Sequence, residues 1–347
     1  MKQKKAIVFF SAGLGDAVLL IPLVKHLKQQ GFLVTGFFNS VNPCEEIFRE
    51  TNLLDELVVC KGKLQQIIYS FKSLMNYDSA YINYFAANRI NFLTAVICSS
   101  QVFTNRKINS VLFKLFRFKV KYTEVVKNMH DGQQNLNLLG SNAVISLQDF
   151  YINFESKSKQ NLNTSFIAIQ ISANNNKNSY RNWPVNYWIS FLKMVLEQYP
   201  EKQIVLLGDE NEVEIGNKIK IESGSKIESL VGKTTILNVM DIIYQSEIFI
   251  GLDSGLMHLA VALKKPTFSI WGPSPTYLYG YEKFSPMHKC VSLYLPCSPC
   301  HAWINPNHTR VLSPNLCPDH ACLQQLMPQE VFNQFKKYVN LLSTHAH

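Results

Sequence analysis

The segment GLDSGLMHLA, residues 251–260, places an aspartate, a serine and a histidine within six positions: Asp253, Ser254 and His258. Two chemistries use such a set. In a hydrolase, Ser254 would be the nucleophile and His258 its base. In an anion cradle, the backbone N–H groups of Ser254, Gly255 and Leu256 would open a helix whose N-terminus carries about half a positive charge. A hydrolase elbow reads Gly-x-Ser-x-Gly, whereas the order here is Asp-Ser-Gly, which favours the cradle. Asp253 then closes a strand. His258, one turn into the helix, either reaches the same anion or packs as a core histidine.

Two further turns carry polar groups. In SAGLGDAV, residues 11–18, Gly13 and Gly15 permit close backbone approach, and Asp16 either caps the next helix or offers a carboxylate to a cleft. The third glycine of a dinucleotide fingerprint and the Lys-Ser/Thr pair of a P-loop are both missing. In ANNNKNSYRNWP, residues 173–184, the asparagines disfavour regular structure, Lys177 and Arg181 bring positive charge, and Pro184 suits a helix start. This segment is either an anion-binding loop or a solvated one.

Of eight cysteines, five fall between residues 290 and 322. Cys297-x2-Cys300-x16-Cys317-x4-Cys322 forms two close pairs around a polar loop with His301, His308 and His320. In a cytosolic chain this spacing suits a closed, structural four-thiolate metal site such as zinc, with reversible disulfides or free thiols as the alternative. Cys290 is a bystander, and Cys44, Cys60 and Cys98 sit among apolar neighbours.

These turns need elements to hold them. KAIVFF followed by SAG reads as a buried parallel strand, Asp16 to Gln30 as a helix stopped by Gly31, and FLVTGFFN at 32–39 as a second strand. DSAYINYF at 78–85 reads as another strand, and 88–120 as helical pieces. The polar stretch 153–165 is a linker. Beyond it the alternation restarts: strands at 166–172, 203–209, 247–253 and 266–272, helices at 186–199, 235–246 and 256–264. The pattern predicts an α/β chain of two doubly wound domains, an N-terminal one over 1–155 and a C-terminal one over 165–330 that carries a Cys-rich loop at 290–322. A final helix over 329–347 is expected to pack back on the first domain. Ligands of such sheets bind at the carboxyl ends of the strands, so the cleft between the domains is the default site.

Composition agrees. A chain of 347 residues with 47% hydrophobic and 17% charged residues can bury two cores. Its formal charge of +9 points to an anionic partner. Only KQKK at 2–5 and FRFKVKY at 116–122 concentrate it, which argues against nucleic acid. Glycines and Asp16 interrupt the apolar N-terminal run, unlike a secretory signal, and no stretch of about 20 apolar residues spans a membrane. A cytoplasmic protein is expected.

Taken together, the chain resembles glycosyltransferase family 9, the bacterial heptosyltransferases of the lipopolysaccharide inner core. The resemblance runs in order through GLGDAVLLIPLVKHLK near the start, HDGQQNLNLLG at 130–140, RNWP at 181–184, LVGKTTILNVMDII at 230–243 and GLDSGLMHLAVALKKPTFSIWGPSP at 251–275. It implies the GT-B fold, two Rossmann-like domains facing a cleft, and inverting, metal-independent transfer of a heptose from ADP-heptose. It makes Asp16 the general base that takes a proton from the acceptor hydroxyl. It places Gly15, Arg181, His258 and the backbone of Ser254 and Gly255 by the nucleotide sugar and its diphosphate, Asp253 by the ribose or sugar, Ser172 by a phosphate and Thr234 by the base.

The implied acceptor is an anionic lipid-linked saccharide, of a lipopolysaccharide core or another surface glycan, met at the inner face of the bacterial inner membrane. A protein O-heptosyltransferase acting on serines is the second reading, and a sugar-nucleotide-binding module without catalysis the third. The resemblance implies no cofactor for the chemistry, and iron as well as zinc for the cysteines. Two features depart from the family. Arg181 stands where lysine is usual, keeping the charge but adding a planar fork; and QISAN replaces the usual His-Pro-Gly at the strand end.

Overall fold

A computed structural model describes residues 3–11, 13–39, 43–107, 110–156, 165–173, 180–300 and 317–345. The chain divides into two compact units, Met1–Phe154 and Glu155–His347.

The first unit runs β1 Lys5–Phe10, α1 Leu14–Leu19, α2 Ile21–Gln29, β2 Leu33–Phe38, α3 Pro43–Glu50, β3 Glu56–Val59, α4 Lys63–Lys72, β4 Tyr77–Ile82, α5 Arg89–Cys98, β5 Ser99–Thr104, α6 Ser110–Leu115, β6 Val120–Tyr122 and α7 Asp131–Leu136. Its six parallel strands lie in the order β3-β2-β1-β4-β5-β6. Strand alternation separates the two faces of this sheet. Phe10 packs with Phe38 and with Phe48 of α3, whereas Phe9 packs with Phe37, which in turn meets Tyr69 of α4. Hence α3 and α4 cover opposite faces.

The second unit runs β7 Phe166–Gln170, α8 Val185–Gln198, β8 Gln203–Leu207, α9 Val213–Ser223, β9 Ile227–Ser229, α10 Ile236–Gln245, β10 Ile248–Leu252, α11 Gly255–Ala262, β11 Thr267–Ile270, α12 Thr276–Tyr279, β12 His288–Val291, α13 Ala321–Gln324 and α14 Pro328–His345. Its order, β12-β11-β10-β7-β8-β9, is the doubly wound order of the first sheet counted from its own first strand, β7. Each sheet therefore reverses direction beside its first strand, between β1 and β4 and between β7 and β10. Ligands of open α/β sheets bind in the crevice at such a reversal. Asp16 follows β1; Asp253 and Arg181 follow β10 and β7.

Residues 88–120 are not all helical. Asn88 caps α5 by accepting from the N–H groups of Ile90 and Asn91, but the chain turns at Ser99 into β5, in register with β4 from Tyr77↔Ser99 to Ile82↔Thr104. The expected helix from Asp16 begins instead at Leu14 and is interrupted at Leu20, one residue before α2. In α14, Val331, Phe332, Phe335 and Tyr338 are buried in the core of the second unit, where Phe335 lies 5.2 Å from Phe268 and 5.7 Å from Phe191, ring centre to centre. The final helix, expected to pack back on the first domain, thus buries these apolar residues within the second unit. Most of the linker, residues 157–164, lies outside the described residues.

Candidate active site

In the first unit, Gly13 is the N-cap of α1, with extended backbone and no side-chain cap, so Asp16 is a first-turn residue and not the cap. Its carboxylate curls back over the turn: Ser11 Oγ donates to Asp16 Oδ2 at 2.8 Å. A Cβ added at Gly13 would stand 2.7 Å from that same Oδ2. Gly13 is therefore required by the position of the carboxylate, since its φ of −81° suits any residue. Gly15 sits in the first turn of α1, beside Asp16.

A second carboxylate joins the first. Asp131 opens α7, behind the N-cap His130, whose Nδ1 accepts from the N–H of Gly132. Asn135, one turn on, donates to the carbonyl of Leu19 at 3.0 Å and accepts from Asn83 Nδ2, tying α7 to the end of α1 and to the turn after β4. Asp131 Oδ2 is closed off from solvent and accepts no hydrogen bond among the described residues. Burial, then the like charge of Asp16, push the Asp131 carboxyl up to about 7, against a lowering by the Asn135 hydrogen bond. Within the HDG block nothing in the sequence marks Asp131, because the neighbour that makes it notable, Asp16, is more than a hundred positions away.

In the second unit, Arg181 Nη1 donates to the Asp253 carbonyl oxygen at 3.2 Å and meets Asp253 Oδ2 at 3.4 Å. Asp253 is 8% exposed and Arg181 24% by side chain, so the guanidinium keeps one open side beside a nearly closed carboxylate. Ser254 is the N-cap of α11 yet makes no side-chain cap. Its Oγ donates instead to Gln170 Oε1 at the end of β7, which leaves the first turn of α11 without a side-chain cap. His258, buried in the first turns of α11, shares a 2.8 Å hydrogen bond between Nδ1 and Tyr281 Oη. Burial lowers its pKa to about 4, with Asp253 opposing and Arg181 adding to the drop. His258 is thus a neutral ring at physiological pH, and Arg181 is the cation.

Two predicted residues stand apart. Ser172 Oγ donates to Asn182 Oδ1 at 3.2 Å and also bonds Glu212; no described contact joins it to Asp253. Thr234 precedes the capping box of α10, and its Oγ1 is buried without a hydrogen-bond partner among the described residues. Lys177 lies outside the described residues, as do His301 and His308. Gln170, Asn182 and Tyr281 were missed from sequence. Only Gln170 leaves a signal there, as the one polar residue of an otherwise apolar strand.

The cysteines come together in part. Cys300 N donates to the carbonyl of Pro273, and Ser298 Oγ to that of Gly272, which pins the Cys-x-x-Cys turn to the end of β11. Burial raises the Cys322 thiol to about 11, and Cys317, Cys297 and Cys300 add to the rise, so the four thiols share one neighbourhood. Among the described residues, however, no three His, Cys, Asp or Glu side chains are arranged to hold a metal ion. The donor set suits zinc or iron; its arrangement here does not.

Two parallel doubly wound sheets, one presenting a carboxylate turn at its reversal and the other a cation and a helix N-terminus, make up the GT-B fold. The profile of glycosyltransferase family 9 (heptosyltransferase) matches residues 90–309, and the chain belongs to that family. Over 349 aligned residues it is 25% identical to lipooligosaccharide heptosyltransferase 2 of Campylobacter jejuni subsp. jejuni serotype O:2, covering 96% of this chain and 97% of the relative. Its fold matches the E. coli ADP-heptose lps heptosyltransferase II, with a TM-score of 0.69 at 16% identity over 98% of this chain and 99% of the other. It also matches E. coli heptosyltransferase WaaC with ADP-2-deoxy-2-fluoro heptose, with a TM-score of 0.69 at 14% identity over 96% and 99%. The protein is a glycosyltransferase.

Proposed function

We propose that the protein transfers a heptose from ADP-heptose, with inversion, to a hydroxyl of a lipid-linked saccharide of the cell surface. The observation that carries this reading is the pairing of Arg181 with Asp253 at the open N-terminus of α11. A nucleoside diphosphate is the ligand that a guanidinium and a helix N-terminus without a side-chain cap together suit. The relatives support the same donor, since one was captured with an ADP-heptose analogue.

In the transfer, Asp16 takes the proton of the acceptor hydroxyl as its oxygen bonds to the anomeric carbon. The bond from that carbon to the diphosphate oxygen breaks, and its electron pair leaves with ADP. Charge develops on the leaving oxygen, where Arg181, the N–H groups of Ser254 and Gly255, and neutral His258 as a ring donor stabilise it. Asp253 orients Arg181 and faces the ribose or sugar, Gly15 lets substrate approach the turn, and Ser172 and Thr234 serve the phosphate and base.

The test is Asp16→Ala with ADP-heptose. Heptosyl transfer falls by about 10²–10⁴-fold while calorimetric donor binding is retained. Unchanged transfer sinks the base assignment. Mass spectrometry of surface glycan and total protein, with and without the gene, is expected to show the heptose missing from the glycan. Loss from protein alone would move the acceptor to serine side chains, and no change in either pool would overturn the reading.

A further inference from the structure

Helix α4 is built inside out. Leu64, Ile67, Ile68 and Phe71 follow the 3-1-3 spacing of an apolar helix face, continued by Leu74 and Met75. Such a face ordinarily packs on the core, yet Leu64 is 71% exposed, Phe71 68% and Leu74 65%. Apart from Tyr69, which packs on Phe37, the inward face is polar: Gln66 Nε2 donates to Asn91 Oδ1 at 2.8 Å and Thr94 Oγ1 at 3.1 Å, and Ser70 Oγ to Thr94 Oγ1 at 3.0 Å. The polar network already fixes α4 against α5. Something other than folding of this unit must therefore account for the outward stripe.

The neighbouring elements extend it. Around α6, Phe113 and Phe116 pack inward on the cluster that contains Phe9 and Phe92, while Val111, Leu115 and Phe118 point out, Phe118 being 77% exposed. Lys119 joins the two stretches. Its Nζ donates to Met75 Sδ at 3.3 Å and to the carbonyls of Val96 at 3.0 Å and Ser99 at 3.2 Å. So the end of α4, the end of α5 and the turn after α6 meet along one edge.

Charge follows the same segment. Residues 61–123 hold ten lysines and arginines against the single acid Asp78, a net of +9, which equals the formal charge of the entire chain. Asp78 itself accepts from the N–H of Lys5. The acidic residues of α3, Glu45, Glu46 and Glu50, lie across the sheet. A second copy of this face would set like charge against like. An anionic surface that also accepts staggered apolar side chains, with lysine stems lying along it, is complementary in both respects.

We propose that the α4–α6 face docks on an anionic phospholipid bilayer, with Leu64, Ile67, Phe71, Leu74 and Phe118 entering the headgroup boundary and Lys63, Lys72 and Arg117 on the lipid phosphates. No described helix is long and apolar enough to cross a membrane. The docking places a transferase beside a lipid-linked acceptor, but it needs neither donor nor acceptor.

The full chain is floated with phosphatidylcholine vesicles, with and without phosphatidylglycerol. It is expected to bind only the anionic vesicles, less as salt shortens the Debye length. Phe71→Glu with Leu74→Glu lowers the affinity at least about tenfold, and each of Lys63→Gln and Lys72→Gln about fivefold at low salt. These exposed changes leave the melting temperature and ADP-heptose binding unaltered. Equal binding to neutral vesicles, or variants that bind like the wild type, overturns the proposal. So does a dimer, seen by ultracentrifugation and dissolved by Phe71→Glu, in a chain that ignores vesicles. Vesicle binding without heptosyl transfer would leave the docking standing while the transfer reading falls.

Discussion

Arg181 and Asp253 meet across 72 positions of chain, with Nη1 3.2 Å from the Asp253 carbonyl oxygen and 3.4 Å from Oδ2. The first residue comes from the loop after β7 and the second from the end of β10, the two strands that flank the reversal of the second sheet. The pair thus sets a cation at the point where α11 begins. Each partner limits the other: Asp253 is nearly closed to water and needs a counter-charge, and Arg181 is held by that need with one side open.

Arg181→Ala is expected to raise the KM for ADP-heptose by about 10–100-fold, the loss of one or two charge-assisted hydrogen bonds. It should also lower stability by about 1–2 kcal/mol, because Asp253 is left unpaired. Arg181→Lys keeps the charge but replaces the planar, multi-donor guanidinium with a compact ammonium on a shorter stem, so it should recover the KM only in part. Initial-rate kinetics and thermal melting measure both. A KM unchanged in Arg181→Ala would remove this residue from the donor site.

Asp131 and His258 give opposite pH signatures. Asp131 is raised to about 7 when folded, against 3.8 for the free carboxyl, so the unfolded chain releases this proton first. Its contribution to stability is present below about pH 4 and is lost as pH rises to 7. His258 is lowered to about 4 from 6.5, so its contribution is present above 6.5 and lost as pH falls towards 4. Asp131→Asn should therefore stabilise the protein more at pH 8 than at pH 4, by up to about 2–4 kcal/mol. His258→Asn should gain relative to wild type on acidification from 6.5 to 4. Chemical denaturation of the three proteins across pH is the measurement, and parallel curves would contradict both assignments.

Much of this site is legible in the chain. Apolar runs ending in Gly-Asp or Asp-Ser-Gly mark strand ends at a helix start, and the turns holding Asp16 and Asp253 fall where that pattern puts them. The rest depends on contacts that spacing does not encode. Asp131 acquires its character from burial and from Asp16, far away in sequence, and His258 loses its charge to the closed core around Tyr281. Strand β5 hid because SSQVFT is short and begins directly at the end of α5, with no turn residue between them. The stripe of α4 shows a further limit: periodicity locates an apolar face, whereas the partners Asn91 and Thr94 decide which way it points.

Gly13→Ala isolates the position of the Asp16 carboxylate from its proposed chemistry. The backbone of Gly13 is extended and open to any residue, so the substitution has no conformational cost of its own. The added methyl would stand 2.7 Å from Asp16 Oδ2, which must swing away from Ser11. The expected result is a fall in kcat of about 10–100-fold, since a carboxylate displaced by an ångström loses the alignment that proton transfer requires. The melting temperature should change little, and so should donor binding, which the proposal assigns to the second unit. In a Gly13→Ala, Asp16→Ala double variant, the glycine change should have no further effect, because the group it displaces is gone. If the two losses in kcat multiply instead, Gly13 acts independently of Asp16, and the contact between them is incidental to the reaction.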